Sequence, residues 1–514
     1  MSEHLSPADV SFFYLEGRTT PQHVGGLAIF EAPADGFDYD RLIRLLEERI
    51  SLAPRYRQRM RTVPGNLANP IWVDDPRFDI TYHVRRSALP RPGTDTSLLE
   101  FCARIQSRLL DRDRPLWEMY LVEGLTDGRI AVLTKTHHSM VDGVGAIDIA
   151  QVLLDSAPEP RRTVEGVWMP EPEPSSSRLV VDALAGAVRR PAAVVDIARL
   201  VVGDARSASS WLTGAVAGSV AAVRDLVRTP QPSPLRATLS EHRRIGIARA
   251  ELDDFRLIRD AHGGTVNDAV LATVAGGLRR WLLSRGERLQ DSSTVRALVP
   301  VSVSGVDEFA SGGERSEPVT ALLVDLPVGE ADPLRRLARV QFEMAAHTDS
   351  GQSVSADTLV ALSGFAPPTL HSLGARAANR LTRRMYSLVV TNVPGPQIPL
   401  YAAGARMTEM FPILPLNEGQ ALSIALTSYN GGVFFGVNAD RDAVPDVNQV
   451  AGDLIAALGE LVALSVPGDE ETTLADPRSS RPARLRAAGR AAAERTVVST
   501  RTRRPGRARE ETRQ

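Results

Sequence analysis

The first 160 residues alternate between apolar patterns typical of strands and of helices. HVGGLAIFEA predicts a strand, and DYDRLIRLLEERIS predicts a helix because its leucine and isoleucine residues recur on one helical face. RIAVLTKTHH predicts another strand, which runs directly into His137 and His138. A helix is predicted after Gly143, so the histidines are expected at a strand-to-helix turn, where a rigid scaffold often positions functional groups.

A second region with the same alternation runs from about Pro234 to Val466. GTVNDAVLATVAGGLRRWLLSRGE predicts a long helix, with Thr265 and Asp268 spaced as in a capping box. ALSIALTSYNGGVFFGVNAD predicts a hairpin that turns at Asn430-Gly431. The remaining predicted elements of this region are the strands TVRALVPVSV and PVTALLVDLPV and a final helix, DVNQVAGDLIAALGELVAL, with Asp446 as its N-cap. The whole pattern predicts an α/β fold.

The two regions are separated by a change in composition. APEPRRTVEGVWMPEPEPSSS is rich in Pro, Ser and charged residues and predicts a linker. An Ala/Val/Arg-rich segment follows to about Arg228, which favours helices packed on the protein over an amphipathic segment on a membrane. We therefore predict an N-terminal half, a linker with a helical crossover, a C-terminal half and an Arg-rich disordered tail, at 1–160, 161–233, 234–468 and 469–514.

Composition narrows the class of protein. The chain has 514 residues, 43% of them hydrophobic and 24% charged, which is typical of a globular protein with more than one domain. Its net charge of −2 argues against a nucleic-acid partner. The single cysteine, Cys102, excludes an intrachain disulfide framework. MSEHLSPADV has no signal-peptide pattern, so we expect a cytoplasmic protein, either free or peripheral on a membrane.

The string HHSMVDG is the strongest candidate for chemistry. A neutral imidazole can take a proton from an alcohol that attacks an activated carbonyl. Asp142 could hold the loop through an ion pair or orient an imidazole, and Gly143 would allow a close backbone approach. No HExxH, paired-cysteine, GxSxG or GxxxxGK[ST] pattern supports a zinc site, a serine hydrolase or a nucleotide hydrolase. The remaining alternative is a structural histidine pair that hydrogen-bonds to the backbone.

HHSMVDG matches the HHxxxDG signature of the superfamily that includes chloramphenicol acetyltransferase and peptide-synthetase condensation domains. From Leu5 to Val466 the chain resembles the bacterial wax ester synthase/acyl-CoA:diacylglycerol acyltransferases, especially the actinobacterial triacylglycerol synthases. The resemblance departs from the family pattern at Gln22, where the family usually has Met, and at Arg236, where it often has Asn. The strings that carry it are LSPADVSFFYLE, TPQHVGGLAIFE, RPLWEMYLVEGL, GGTVNDAVLATVAGGLRRWL, RALVPVSV and VVTNVPGP.

The resemblance implies two chloramphenicol-acetyltransferase-like halves with mixed sheets and a tunnel at their interface. It implies transfer of a long-chain acyl group from acyl-CoA to diacylglycerol, forming triacylglycerol, and also to long-chain alcohols, forming wax esters. His138 would be the general base, with no acyl-enzyme. His137 would support it, Asp142 would hold the loop, and Gly143 would supply its conformation.

Other residues carry less specific expectations. Asn267 could line the site or stabilise the oxyanion, but it is equally suited to opening a helix. Trp117 could line the acyl tunnel or fill the core, and His23 could face the tunnel or be structural. We expect no metal and no cofactor other than acyl-CoA as co-substrate. Two alternatives remain, namely an acyl donor bound to a carrier protein and a non-catalytic lipid-binding paralogue.

Overall fold

The computed structural model describes residues 4–31, 37–141, 149–161, 168–189, 233–302, 319–350, 354–355 and 386–466. The start of the helix predicted after Gly143, most of the predicted crossover and the predicted tail lie outside these residues. The strands are β1 His23–Phe30, β2 Gln58–Arg61, β3 Ile71–Asp74, β4 Val84–Ala88, β5 Trp117–Glu123, β6 Ile130–His137, β7 Arg243–Glu251, β8 Val295–Ser302, β9 Val319–Leu326, β10 Val354–Ser355, β11 Leu388–Val393, β12 Tyr401–Ala402, β13 Ala405–Ile413, β14 Leu422–Tyr429 and β15 Gly432–Asp440.

The helices carry the apolar faces that cover these strands. They are α1 Pro7–Leu15, α2 Tyr39–Arg49, α3 Ile80–His83, α4 Asp95–Gln106, α5 Ile149–Leu153, α6 Ser176–Arg189, α7 Leu252–His262, α8 Val266–Ser284, α9 Pro333–Ser350 and α10 Val447–Ser465. Two large apolar clusters result, one around the first sheet and one around the second. The mixed α/β architecture predicted from the sequence is confirmed.

The first sheet has six strands in the order β12-β13-β1-β6-β5-β4. β1 lies antiparallel to both β13 and β6, and β4 lies parallel to β5. The register of β1 and β6 pairs His23 with His137, so the two side chains are neighbours at one end of the sheet. This pairing brings the opening segment of the chain to the predicted histidine motif.

The second sheet has seven strands in the order β10-β9-β8-β11-β14-β15-β7. It is mixed, because β11 lies parallel to both β8 and β14 while the other pairings are antiparallel. The predicted β14–β15 hairpin is confirmed. Its two turn residues, Asn430 and Gly431, have φ values of 47° and 87°, as a two-residue hairpin turn requires.

The first sheet includes strands from far along the chain. β12 and β13 fall within the predicted C-terminal half, 234–468, but β13 pairs with β1 and β12 pairs with β13, so both belong to the first sheet. At Gly436 of β15 a Cβ atom would lie 1.8 Å from the carbonyl oxygen of Pro412 in β13. Only glycine permits so close an approach of the two backbones. The halves are therefore interleaved, and their exact boundaries remain a prediction.

Helices α8 and α10 pack against each other on the second sheet. α10 is long and apolar enough to cross a membrane, but eight of its residues are buried inside the protein, as in a core helix. Asp446 is the N-cap residue of α10, as predicted. Its carboxylate does not cap the helix and instead accepts the indole N–H of Trp281 at 2.9 Å.

Candidate active site

The histidine pair lies where β6 ends and a short 3-10 helix, His138–Met140, begins. His137 is completely buried, and Ser139 donates both its backbone N–H (3.2 Å) and its hydroxyl group (2.7 Å) to His137 Nδ1. His138 is half-buried, and its backbone N–H donates to the Gln22 carbonyl at 2.9 Å. The second histidine of the pair therefore keeps a solvent-accessible surface, whereas the first has none.

Helix α1 covers one face of His138. The helix begins with a capping box in which Ser6 and Asp9 accept each other's backbone N–H groups. Phe12, in the last turn, stacks on His138 with ring centroids 4.0 Å apart and planes inclined by 19°. The stacking restricts the orientation of the imidazole, which a general base needs if it is to meet a substrate hydroxyl.

A buried carboxylate lies behind the pair. Glu16, the C-cap of α1, places Oε1 3.0 Å from His23 Nε2 and 3.7 Å from His137 Nε2. Neither contact has the alignment of a good hydrogen bond. Arg112 donates to Glu16 Oε2 at 2.8 Å from the solvent side. We refer to Glu16, His23, His137 and Arg112 as the Glu16 cluster.

Burial governs the ionisation of the Glu16 cluster. It lowers the pKa of His23 to about 4 and that of His137 to about 3, because a buried imidazolium loses its hydration. Burial alone would raise the pKa of Glu16, but the contact with His23, the positive charges that the two histidines acquire in acid and the Arg112 hydrogen bond lower that pKa to about 2. At neutral pH the cluster therefore contains one carboxylate, one guanidinium group and two neutral imidazoles.

The rest of the motif, Asp142 and Gly143, lies outside the described residues, so their predicted roles remain predictions. A different ion pair braces the helix that follows. Arg49 Nη2 lies 2.7 Å from Asp155 Oδ2, with both side chains buried. Arg49 Nη1 also donates to the carbonyls of the last two residues of α5, at 3.2 and 3.4 Å. Asp155 in turn pairs its backbone N–H and carbonyl with Tyr401 of β12, each at 2.8 Å.

Arg49 is not among the site residues predicted from the sequence, although its position in the apolar pattern of α2 gave a signal. Arg49 continues the buried stripe of α2 formed by Leu42, Leu45 and Leu46. An arginine on an apolar face is costly to bury without a partner, so it indicates a buried carboxylate elsewhere in the chain. No such signal marks Glu16, because a glutamate directly after a helix is usually exposed to solvent.

Asn267 is the second residue of α8 and is half-buried. The predicted capping box is confirmed: Thr265 Oγ1 accepts the Asp268 N–H at 3.1 Å, and Asp268 accepts the Thr265 N–H at 2.8 Å. The side chain of Asn267 is therefore not needed as a cap. It accepts instead from Asn392 Nδ2 at 3.5 Å, and Asn392 Oδ1 is buried with no hydrogen-bond partner among the described residues. A substrate-binding role for Asn267 remains a prediction.

Trp117, of the PLW string, is 1% exposed. Its indole N–H donates to the Tyr56 carbonyl at 2.8 Å, and its ring stacks on His83 at a centroid distance of 4.7 Å. The side chain thus fills the core beside β6, where Trp117 pairs with Thr136. A role in lining an acyl tunnel remains a prediction.

One buried arginine joins the second sheet to the segment that precedes β1. Arg243, at the start of β7, donates to the Thr19 carbonyl and lies 3.5 Å from Asp440 Oδ2. Its backbone N–H also donates to Ser107 Oγ at 3.0 Å. Thr19 is three residues before Gln22, which accepts the His138 N–H. The second sheet therefore helps to fix the backbone that holds His138.

Within the described residues, no group of three or more His, Cys, Asp or Glu side chains is arranged to hold a metal ion. The half-buried imidazole of His138, next in sequence to a buried histidine that lies beside a carboxylate, suits proton transfer.

Comparison with known proteins gives a consistent picture over most of the chain. Residues 5–270 match the family described as "Wax ester synthase/diacylglycerol acyltransferase catalytic domain", and residues 318–462 match "WS/DGAT C-terminal domain". A probable diacylglycerol O-acyltransferase from Mycobacterium tuberculosis is 34% identical over 470 residues, which cover 90% of this chain and 96% of that protein.

Solved structures extend the likeness to the fold. A wax ester synthase/diacylglycerol acyltransferase from Marinobacter aquaeolei VT8 superposes with a TM-score of 0.64 at 27% identity, covering 90% of this chain and 99% of that one. The first condensation domain of the CDA synthetase superposes with a TM-score of 0.51 at 16% identity, covering 90% and 96%. The second match concerns the fold alone.

Proposed function

Because the chain belongs to the wax ester synthase/diacylglycerol acyltransferase family, we propose that it transfers a long-chain fatty acyl group from acyl-CoA to diacylglycerol, forming triacylglycerol. The observation that carries this proposal is the half-buried imidazole of His138, held at the end of β6 within an HHxxxDG string. Long-chain alcohols are the second acceptor class. An apolar pocket discriminates only weakly between bulky apolar acceptors, because one methylene changes the binding free energy by only about 1–3 kcal/mol.

In the proposed reaction His138 acts as the general base. It takes the proton of the acceptor hydroxyl as that oxygen attacks the thioester carbonyl. The tetrahedral intermediate collapses, the C–S bond breaks, and His138 returns the proton to the leaving CoA thiolate. Donor and acceptor are bound together, so no acyl-enzyme forms. Proton transfer of this kind contributes about 10²–10⁴-fold to the rate.

Asn267 is the candidate to stabilise the oxyanion. An amide N–H directed at the developing negative charge lowers the barrier, because it needs no reorganisation during the reaction. The contact between Asn392 Nδ2 and Asn267 Oδ1 supports this role, since it leaves the Asn267 amide nitrogen for another acceptor. His137 and Asp142 are assigned supporting roles, and Gly143 the conformation of the loop.

The proposed acceptors are insoluble, so the protein must meet them at a membrane or lipid-droplet surface from the cytoplasm. Co-flotation with lipid vesicles tests the proposed contact with a lipid surface separately from the reaction. Binding that rises with the diacylglycerol content of the vesicles would support peripheral contact. A protein that stays in the soluble fraction at every composition would contradict it.

The function itself is tested by product analysis. Purified protein is given labelled palmitoyl-CoA with either diacylglycerol or hexadecanol, and the lipids are separated. Triacylglycerol as the main product supports the proposal, whereas a larger wax ester product changes the assigned acceptor. An intact thioester with both acceptors would overturn the acyl-CoA proposal, and the same assay with a carrier-bound acyl donor then separates the two alternatives.

A further inference from the structure

We infer that Glu16 is a positioning residue for the proposed acyl transfer, holding the histidine pair from behind as the anionic centre of the Glu16 cluster. The inference rests on the proposed function. It adds a residue that does not belong to the HHxxxDG string and that acts on His138 only through other groups.

The position of Glu16 follows from three elements that meet at one end of the first sheet. His23 begins β1 and His137 ends β6, and the two are directly paired, with ring centroids 6.1 Å apart. Helix α1 ends beside this pair and places the carboxylate of its C-cap residue close to the Nε2 atoms of both rings. The Glu16 side chain is 2% exposed, so the carboxylate is buried where it meets both imidazoles. A buried carboxylate without such partners would be strongly destabilising.

The hydrogen bonds of His137 fix its proton. The Ser139 backbone N–H can only donate, so His137 Nδ1 must be the acceptor. The neutral ring therefore carries its proton on Nε2, the atom that faces Glu16 Oε1 at 3.7 Å. Ser139 thus selects one tautomer and one ring orientation for His137, and the negative charge of Glu16 favours a proton on the ring nitrogen nearest to it. Partners of this kind fix ring orientation in other histidine sites.

Three structural routes connect Glu16 to His138. First, Glu16 contacts His137, which directly precedes His138 in the chain. Second, the backbone N–H of Glu16 donates to the Phe12 carbonyl at 3.0 Å, and the Phe12 ring stacks on His138. Third, Glu16 Oε1 accepts the Gln22 N–H at 3.4 Å, and the Gln22 carbonyl accepts the His138 N–H. A shift of the Glu16 carboxylate would therefore reach His138 through His137 and through the Gln22 backbone, while the Glu16 backbone anchors the Phe12 ring.

Arg112 keeps this anion in place. Its guanidinium group contacts Glu16 Oε2 at 2.8 Å and lies 3.9 Å above the centroid of the Phe13 ring. Arg112 is 43% exposed, so one partner of the pair is buried and the other can reach solvent. Among the described residues, the other charged side chains that act on His23 are Lys135 and Glu118, which are cross-strand neighbours on β6 and β5. Because Lys135 and Glu118 carry opposite charges, their effects on the histidines partly cancel. Removing the charge of Glu16 or of Arg112 should therefore change the electrostatic potential at the histidines most directly.

The test compares Glu16→Gln with Glu123→Gln. Both changes remove a carboxylate paired with an arginine, but Glu123 lies at the far end of β5, where it pairs with Arg86. Because a misplaced base is costly, we expect Glu16→Gln to lower kcat about 10–100-fold, with KM for acyl-CoA and diacylglycerol nearly unchanged. Glu123→Gln should keep wild-type kcat.

A second variant, Arg112→Gln, separates an effect on the electrostatic potential at the base from a simple loss of folded protein. Glu16→Gln removes a negative charge and disfavours a protonated base, so the acid limb of the pH–rate profile should move to lower pH. Arg112→Gln removes a positive charge, so the limb should move to higher pH. A purely structural role would lower the active fraction without moving either limb. If Glu16→Gln fails to fold, the Arg112→Gln profile alone decides.

The outcomes distinguish this inference from the proposed function. A wild-type protein without acyl transfer would overturn the function. An active wild-type protein with equal kcat and an equal profile in Glu16→Gln would overturn the inference alone, as would an unshifted profile in Arg112→Gln.

Discussion

The end of β6 and the start of α8, two places where candidate site residues lie, are held in different ways. At the end of β6 the histidine pair rests on buried ions, with Glu16 behind it and the Arg49–Asp155 pair bracing the next helix. At the start of α8, Asn267 is flanked by a capping box and contacts another amide, Asn392. The end of β6 is thus stabilised by buried ionisable groups, whereas the start of α8 is stabilised mainly by local hydrogen bonds.

This difference has a functional consequence. A base must exchange protons, so its surroundings need a controlled electrostatic potential, and buried ions supply it. A neutral oxyanion donor needs only a fixed direction, which a helix terminus supplies. We therefore expect the β6 end to be sensitive to charge and pH, and the α8 start to be largely insensitive to both.

The largest expected effect on stability comes from breaking the buried ion pair of Arg49 and Asp155, which braces α5. Asp155→Ala leaves Arg49 buried without its counter-ion, so the free energy of unfolding should fall by about 3–5 kcal/mol. Chemical denaturation measures it. Asp325→Ala, which breaks a partly exposed pair with Arg296 in the second sheet, is the control and should cost at most about 1 kcal/mol. A loss equal to that of the control would contradict the claim that a buried ion pair stabilises the segment after β6.

The α8 region is tested through activity. If Asn267 stabilises the oxyanion, Asn267→Ala should lower kcat about 10²–10³-fold with little change in stability. Asn448→Ala is a closely matched control, because Asn448 is likewise the second residue of a helix that begins Val-Asn, and it is exposed. Equal kcat in the two variants would assign Asn267 to the helix start alone.

Acid should weaken the β6 end. The folded-state pKa values of His23 and His137, about 4 and about 3, lie below the ordinary value, so only the unfolded chain takes up these protons as the pH falls below about 6.5. The free energy of unfolding should therefore decrease by about 2 kcal/mol or more between pH 7 and pH 4. Denaturation of His23→Gln should show a shallower decrease than denaturation of His242→Gln, in which an exposed histidine is changed. Parallel curves would contradict the assignment.

The smallest effect is expected at the cap of α8. Thr265→Ala removes the hydroxyl group that accepts the Asp268 N–H and should lower the free energy of unfolding by about 1 kcal/mol. Because no imidazole takes part, this loss should be the same at pH 5 and pH 7. A strongly pH-dependent loss would show that the α8 start is not insensitive to charge.

Local patterns were sufficient to predict much of the fold. The Thr265–Asp268 box and the Asn430-Gly431 hairpin are encoded within a few residues, and both are present. Pairing over long sequence distances was not predictable in the same way. β13 joins the first sheet from about 380 residues beyond β1, and nothing in its own pattern of apolar residues selects β1 over a strand of the second sheet.

The same limit applies to the candidate site. The string around His138 indicated the chemistry because its residues are adjacent in sequence. The Glu16 cluster joins residues 16, 23, 112 and 137, which the folded sheet brings together. From the sequence, Glu16 is one acidic residue after a helix, and its burial is decided by the pairing of β1 with β6.

The most direct test of the account is the rate of acyl transfer by His138→Ala, measured beside His242→Ala, a change at an exposed histidine. If His138 is the base, kcat for transfer from palmitoyl-CoA to diacylglycerol should fall about 10²–10⁴-fold in His138→Ala and stay unchanged in His242→Ala. The melting temperatures of both variants should stay close to that of the wild type, because the side chain of His138 is only half-buried. A folded His138→Ala protein with the wild-type kcat would contradict the claim that His138 is the base.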